Sequence, residues 1–511
     1  MSEQSLSLAQ HYHDRTKYAP ETLRAKSQPL DWSRQPKPFK DYKIGMPFDL
    51  RSYLDDRPDD LNDSAEQFLH RLSRFLFCSY GITGMIPLES EPHYLRSAPS
   101  AGGLYPAELY LLSRGTPVLP PGLYNYQARQ HGLMHYWESE VWTALQSACF
   151  WHPALEATQY ALVVTAVFER SAWRYQDRAY RRIFLDSGHL LGNLELAGAI
   201  QDFRPHGIFG FCDRSVNNLL YLDESQESAI AVLPLADLKQ VNQNLMTYQT
   251  CLQSEICRNY SSRIPDGQLL FKLQEATEIT MHDSTVTWHR TDPAPLPIDK
   301  YNFPFCLKID MKSQPIVWQD NLVALEETMV KRRSTRSYNG GDISINQLKA
   351  ILDFTYHPEH YIDQSIDRTP DYADLSSVET FIAVTGVTGL EPGCYHYAPH
   401  LNELRQIRFK NFRQELHFLC LGQDLGRDAA AVVFHTADLT RAIEIWGDRA
   451  YRYLHLDAGH LGQRMNLAAI RLGLGVSGIA GFFDDQVNEV LGIPTDEAVL
   501  YITTIGQSRR S

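Results

Sequence analysis

Two short segments of the 511-residue chain carry residue types that suit an anionic or flat ligand. One segment, KRRSTRSY, crowds three guanidinium groups and a hydroxyl into five positions: Arg332, Arg333, Ser334 and Arg336. Guanidinium groups match phosphate oxygens in pairs, so this segment predicts a phosphate site. The other segment, RSAPSAGGLYP at 96–106, contains a Pro-Ser-Ala-Gly-Gly turn that can bring bare backbone amides close to a ligand.

These segments belong to two copies of one repeated sequence. Residues 177–189 read DRAYRRIFLDSGH and residues 448–460 read DRAYRYLHLDAGH, which are identical at nine of 13 positions with an offset of 271. The same offset aligns two further pairs of segments without a gap, 122–126 with 393–397 and 207–217 with 478–488. A match of this length predicts tandem duplication of one domain.

The copies differ where ligand chemistry is expected. At the offset of 271, the RSAPSAGGLYP segment becomes the acidic DRTPDYADLSS at 367–377. The first copy in turn carries acidic PFDLRSYLDDRPDD where the second has KRRSTRSY. One basic cluster alone can be an ordinary solvated surface patch. Because each copy keeps what the other has lost, the pattern favours a single site shared by both.

Each copy repeats the same order of elements around these segments. An apolar strand, at 161–168 or 430–437, precedes a charged loop and then a long helix, at 185–200 or 456–473. Apolar residues on two faces of the second helix predict that it is largely buried. Glycine-rich turns, a short helix that begins with aspartate and a final strand follow in both copies.

Strands that alternate with helices in this order predict an α+β or α/β core. We place one half at 1–240, a proline-rich linker or arm at 241–325, and the other half at 326–511.

Composition limits the partners and the location. The formal net charge of −13 argues against a nucleic-acid partner, and no apolar run is long enough to span a membrane. Eight cysteines without a CxxC pair predict reduced thiols in a cytoplasmic protein. No metal is expected, because His11 and His13 would lie on opposite faces of a helix. His189 and His460 occupy equivalent positions and are expected to be structural.

The ordered set of motifs resembles the flavin-dependent nitroreductase superfamily, on the evidence of RRSTRSY, PSAGGLYP, the LDAGH helix and the GIAGFF turn. PSAGGLYPAELYLL, GLYNY, DRAYRR and the opening HYHDRTKY are similar to its SagB/ThcOx-type dehydrogenase branch. That resemblance implies a dimeric α+β fold with FMN in the interface. Here two tandem nitroreductase-like domains would form an intrachain pseudo-dimer with one FMN, since the second interface site is degenerate.

The resemblance also implies a set of cofactor-binding residues. Arg332, Arg333, Ser334 and Arg336 would hold the phosphate and ribityl chain, with Arg509 as an addition from the C-terminal end. Gly481, preceded by Ala480, would offer an amide to the flavin ring. The first copy would close over the flavin with Pro99, Ser100, Ala101 and Gly102.

Enzymes of the SagB branch oxidise azoline rings in modified peptides with the help of a lysine-tyrosine pair. In this chain Arg174 and Tyr175 stand at the pair's position in the first copy, and Ile445 and Trp446 in the second. Arginine stays protonated and cannot act as a base, whereas Tyr175 could exchange a proton. These two residues are therefore the catalytic candidates.

Three functions remain open at this point. The first is an FMN-dependent dehydrogenase or oxidase acting on a small or peptide-derived substrate, with O₂ as acceptor. The second is an NAD(P)H-dependent nitro or quinone reductase. The third is a flavin-free scaffold that binds a peptide.

Overall fold

The computed structural model describes most of the chain, namely residues 6–26, 30–54, 64–88, 92–137, 139–243, 247–261, 263–280, 286–290 and 299–509. Parts of the linker predicted at 241–325 and of the acidic segment at 47–60 lie outside these residues. Within the described ranges, no helix is both long and apolar enough to cross a bilayer.

The α-helices of the described residues are α1 (Leu8–Thr16), α2 (Pro20–Lys26), α3 (Ser64–Tyr80), α4 (Trp142–Ala148), α5 (Pro153–Ala157), α6 (Phe168–Tyr175), α7 (Ala179–Ile200), α8 (Asp213–Leu219), α9 (Leu269–Ala276), α10 (Val323–Lys331), α11 (Ile345–Tyr356), α12 (Arg413–Leu419), α13 (Asp424–Asp428), α14 (Leu439–Trp446), α15 (Ala450–Arg471) and α16 (Asp484–Leu491).

The strands are β1 (Met46–Asp49), β2 (Ile82–Ile86), β3 (His93–Arg96), β4 (Ala107–Ser113), β5 (Gly122–Gln127), β6 (Gly132–Trp137), β7 (Tyr160–Val167), β8 (Phe203–Pro205), β9 (Glu227–Asp237), β10 (Lys308–Asp310), β11 (Ile343–Ser344), β12 (Glu379–Val384), β13 (Val387–Thr388), β14 (Gly393–Ala398), β15 (Glu403–Arg408), β16 (Ala431–Asp438), β17 (Gly475–Ile479) and β18 (Glu497–Gly506).

Two seven-stranded sheets with the same topology confirm the duplication. Their strand orders are β1-β6-β5-β4-β7-β9-β8 and β10-β15-β14-β12-β16-β18-β17, and neighbours within each sheet are antiparallel. Corresponding strands occupy the same place in each order, so the fold is α+β with two tandem domains, as predicted. The second sheet takes its edge strand β10 from the segment predicted to be a linker.

The long helices α7 and α15 cross between the two sheets and bury nearly all their residues, as expected for 456–473. They approach closely because each has a glycine at the crossing. A Cβ added to Gly188 would lie 2.2 Å from the Leu456 carbonyl oxygen, and one added to Gly459 would lie 2.3 Å from that of Leu185. No larger side chain fits between the backbones.

The prediction of a charged loop before each long helix is wrong. Helices α6 and α14 begin directly after strands β7 and β16, and each leads through one 3-10 turn into α7 or α15. The charges indicated a solvated loop, but several of them are buried and paired. Arg178 and Arg181 both donate to Asp484 of the other half, at 2.9 and 2.6 Å. At the offset of 271, Arg449 and Arg452 donate to Asp213 in the same way, at 2.6 and 2.7 Å.

The N-terminal helix α1 joins the halves at a second place. Its Ala9 amide donates to the Asp448 carboxylate at 3.0 Å, and its Tyr12 hydroxyl donates to the Asp177 carbonyl. His13 is buried against the Tyr451 hydroxyl. Helix α1 therefore contacts both halves.

Candidate functional site

The arginine segment of the second half lies against the glycine turn of the first. Arg332 ends helix α10, and its buried guanidinium donates from Nε to the Ser97 carbonyl at 2.5 Å and from Nη2 to the Arg96 carbonyl at 3.1 Å. Burial lowers the pKa of Arg332 to about 10. Two segments more than 230 positions apart in sequence are thus in direct contact.

The next arginine has a different partner. The exposed side chain of Arg333 donates to Thr83 of strand β2, reaching its hydroxyl at 3.1 Å and its carbonyl at 2.5 Å. Arg333 therefore docks the second half onto a hairpin of the first. Ser334 is half-buried and Arg336 is exposed.

The rest of the arginine segment pairs with the end of the second sheet. The Thr335 amide donates to the Val476 carbonyl at 2.9 Å, and the Val476 amide donates to the Thr335 hydroxyl at 3.0 Å. The Arg509 amide donates to the Ser337 carbonyl at 3.1 Å. The backbone of Arg509 is therefore held beside the segment.

Asp186 of helix α7 holds the glycine turn in place. The Ser100 hydroxyl donates to this carboxylate at 2.5 Å, the Ala101 amide donates to both of its oxygens at 3.1 Å, and the Tyr105 amide donates to the Ser100 hydroxyl at 2.9 Å. Burial raises the pKa of Asp186 to about 7. Pro99 is half-buried, and Gly102 is exposed with a φ of 67° that favours glycine.

The two catalytic candidates lie at the C-terminal end of α6, next to this turn. A Cβ on Gly102 would be 2.9 Å from the Tyr175 hydroxyl and 3.3 Å from an Arg174 nitrogen. Tyr175 is half-buried and Arg174 is exposed.

Arg182 connects Tyr175 to the remaining predicted segment. Its guanidinium carbon lies 3.7 Å from the centre of the Tyr175 ring. A Cβ on Gly481 would lie 3.8 Å from Arg182 Nη2, and Ala480 precedes this glycine in the half-buried turn after β17. The turn at 99–102, the Tyr175 ring and the turn at 480–481 therefore border one cleft between the halves.

Sequence reasoning missed two functional candidates, Arg182 and the role of Asp186 as the anchor of the turn. A signal for Arg182 was present, because the DRAYRR motif carries arginine where the second copy has Tyr453. Asp186 gave no such signal, since Asp457 occupies its place in the second copy and likewise accepts from the turn of its own half, at the Ala373 and Asp374 amides.

The cleft related to this one by the internal repeat is lined by acidic side chains and their partners. Asp371, at the position of Ser100, accepts from the Gly207 amide at 2.9 Å. Arg204 donates to Asp367 at 2.5 Å and to the Thr369 carbonyl at 2.9 Å. A cavity of about 560 Å³ remains beside these residues, with Leu238 at the position that Arg509 holds in the other half. Ion pairs here replace the amide-rich turn and the cationic segment of the first cleft.

His189 and His460 are buried and hydrogen-bonded, as expected for structural residues. His189 Nδ1 lies 2.8 Å from the Leu185 carbonyl and its Nε2 lies 3.1 Å from the Tyr501 hydroxyl, while His460 Nε2 lies 3.1 Å from the Glu195 carboxylate.

Two antiparallel sheets that sandwich a crossed helix pair, with a cleft built from both halves, define the class of protein. The nitroreductase family model matches residues 65–236 and 329–507, which is more than half of the chain. The chain therefore belongs to the nitroreductase family. Its family and structural relatives indicate an oxidoreductase.

Individual relatives are consistent with this family. A crystal structure of an Anabaena variabilis protein assigned as a nitroreductase is 63% identical, covers 99% of this chain and 100% of its own, and superimposes with a TM-score of 0.93. A Methanocaldococcus jannaschii protein, MJ1384, also assigned as a nitroreductase, is 30% identical over 34% of this chain and 85% of its own. The trifolitoxin-processing protein TfxB of Rhizobium leguminosarum is 32% identical over 27% of this chain, but the match spans only 39% of TfxB.

Proposed function

We propose that the chain is an FMN-dependent oxidoreductase that holds one flavin between its two halves. The observation that supports this most directly is the contact of Arg332 with the carbonyls of Ser97 and Arg96. It joins the cationic segment of one half to the amide-rich turn of the other at a single cleft. The related cleft has acidic residues at the same turn and is proposed to hold no flavin.

The residues at the cleft fit a nucleotide with one phosphate. Arg332, Ser334 and Arg336 offer guanidinium and hydroxyl donors, and the Arg509 amide donates to the neighbouring Ser337 carbonyl. The Ser97 hydroxyl, which is buried at the contact with Arg332, has no hydrogen-bond partner among the described residues. Such a group calls for a ligand or water. Arg333 belongs to the same proposed set, and like Arg332 it also docks the halves, through its hydrogen bonds to Thr83.

Bound FMN would supply the redox chemistry, while the chain binds, orients and shields it. We assign proton transfer to the Tyr175 hydroxyl, which faces the glycine turn. Arg174 stays charged and is assigned to orienting the substrate. The glycine turn and the turn at 480–481 would cover the flavin from the two halves.

For the substrate, we favour the SagB-type assignment, with a small or peptide-derived molecule, such as an azoline ring, donating a hydride to the flavin. The match to a trifolitoxin-processing protein supports a peptide-derived substrate. The second candidate is an NAD(P)H-dependent nitro or quinone reductase, which the two relatives assigned as nitroreductases support. A flavin-free, peptide-binding scaffold is the third.

The division into halves at 1–240 and 326–511, with an arm at 241–325, remains part of the proposal. The structure describes β10 of this arm as an edge strand of the second sheet.

Spectroscopy of the purified protein tests the proposal. We expect a flavin absorbance spectrum and one FMN released per chain. Bleaching of the flavin by NAD(P)H under nitrogen would favour the reductase function. A flavin that NAD(P)H does not bleach would favour the dehydrogenase function. A colourless protein that does not take up added FMN would contradict both and support the scaffold.

A double variant, Ser334→Ala with Arg336→Ala, tests the site itself. It removes a hydroxyl and a charged donor, and we expect FMN affinity to fall by about a hundredfold or more. Arg441→Ala, on the exposed face of α14, is the control and should leave FMN affinity unchanged. Equal affinities in the two variants would place the phosphate elsewhere.

A further inference from the structure

We propose that Arg182 binds a carboxylate group of the substrate, an inference that rests on the proposed function. It assigns the substrate to the organic acids, including peptides that carry a carboxylate.

The guanidinium of Arg182 is held as a binding group. The residue is only 5% exposed, yet its Nη1 has no hydrogen-bond partner among the described residues. The centre of the Tyr175 ring lies 3.7 Å from its guanidinium carbon. A buried donor of a charged group is expensive to leave unpaired, so a fixed guanidinium with one open edge indicates an anionic ligand.

The acid nearest in the helix does not fill this role. Asp186, one turn further along α7, accepts instead from the Ser100 hydroxyl and the Ala101 amide. Among the described residues, no ion pair is formed by Arg182 itself. In the second half Tyr453 takes the position of Arg182 and donates to the Leu252 carbonyl at 2.8 Å, so the cation is specific to the cleft with the glycine turn.

The cleft has two cationic ends, and FMN has one phosphate. The first end is the arginine segment at 332–336, whose Arg332 contacts Ser97. The second end is Arg182, which lies by Tyr175 and the turn at Gly481. Once the phosphate is assigned to the first end, a second anion is needed at the other. The substrate is the component that could bring it.

A cavity beside Tyr175, the ring that packs on Arg182, offers room for the rest of that substrate. It measures about 440 Å³, within the range of small-ligand sites. Tyr175 and Tyr18 form part of its wall. Trp173 and Leu269 add apolar surface, and Arg174 adds a second exposed cation. Three carboxylates on the same wall already have partners: Asp266 pairs with Arg15, Asp31 accepts from the Ser33 amide and Asp177 accepts from the Gly267 amide. The apolar surface and Arg174 therefore suit an apolar or aromatic body with an acidic group.

Ligand titration of the FMN-loaded protein tests this assignment by the change in flavin absorbance. The probes are benzoate, N-acetylphenylalanine and the uncharged N-acetylphenylalaninamide. We expect both acids to perturb the spectrum and the amide to bind at least about tenfold more weakly. The more tightly bound acid identifies the source of the carboxylate as a small acid or a peptide.

Variants of Arg182 test whether this residue, and not another part of the cleft, binds the acids. Arg182→Gln should weaken binding of the acids by about tenfold or more with unchanged FMN content. Arg182→Lys should recover part of the lost affinity. Arg441→Gln is the matched control and should bind the acids like the wild type. Equal binding of acid and amide, or unchanged acid binding in Arg182→Gln, would overturn the inference while the flavin assignment stands. Loss of FMN from Arg182→Gln would also overturn it, because Arg182 would then hold the cofactor.

Discussion

The hydroxyl of Ser100 makes two hydrogen bonds that shape the glycine turn, one to Asp186 and one from the Tyr105 amide. Replacing Ser100 with alanine removes both and loosens the turn by about 1–3 kcal/mol. We therefore expect Ser100→Ala to bind FMN about tenfold more weakly, as measured by quenching of flavin fluorescence. Ser376→Ala, in the turn of the other half, is the control and should bind FMN normally. Unchanged affinity in Ser100→Ala would show that the turn does not contribute to the flavin site.

Asp457, the counterpart of Asp186, should make stability depend on pH. Burial raises its pKa to about 8, above its ordinary value of about 3.9. Between these values the folded state holds a proton that the unfolded state releases, so the free energy of unfolding falls as pH rises, by at most about 1.4 kcal/mol per pH unit. Asp457→Asn lacks this dependence.

Urea unfolding of wild type and Asp457→Asn from pH 5 to pH 8 measures the effect. We expect the stability of the variant relative to wild type to increase with pH across this range. A difference that stays constant would mean that Asp457 is ionised in the folded protein throughout.

At the scale of elements, the crossing of α7 and α15 depends on two glycines. Gly188→Ala would place a methyl 2.2 Å from the Leu456 carbonyl oxygen, so the helices must separate. Overpacking of this kind costs about 1–3 kcal/mol or more. We expect Gly188→Ala and Gly459→Ala each to lower the urea midpoint, and the double variant to lose flavin as the cleft widens. Gly267→Ala, where a Cβ meets nothing within 4 Å, controls for the loss of a glycine, although its positive φ adds some strain.

The helices and strands show which parts of the fold sequence patterns can predict and which they cannot. The strands at 161–168 and 430–437 and the buried helix at 456–473 were predicted because apolar runs report burial directly. Helix α6 was missed because its charged residues were interpreted as solvated, although Arg170 forms a buried ion pair with Glu108. Pairing partners distant in sequence are invisible to a local pattern. For the same reason the segments of the cleft were predictable from the repeat, but the unpaired nitrogen of Arg182 was not.

At the scale of the whole molecule, two buried carboxylates hold the halves together. Asp213 and Asp484 each receive two arginines of the opposite half. Changing either aspartate to asparagine leaves buried guanidinium charge without an anion, which costs about 3–5 kcal/mol. We expect similar losses of unfolding free energy in Asp213→Asn and Asp484→Asn, measured in urea. A small loss in both would mean that water or other groups compensate the arginines.

The fusion of the halves has a consequence for how the two clefts can change. In a dimer of identical subunits, every substitution is made twice, so an improvement on one side is imposed on the other. The crossing at Gly188 and Gly459 keeps the geometry of such a dimer, yet each position is encoded separately. The second half could therefore acquire Asp371 while the first half kept Ser100 at the equivalent position. Covalent linkage frees one side of an ancestral symmetric assembly to drift or specialise while the other stays under selection.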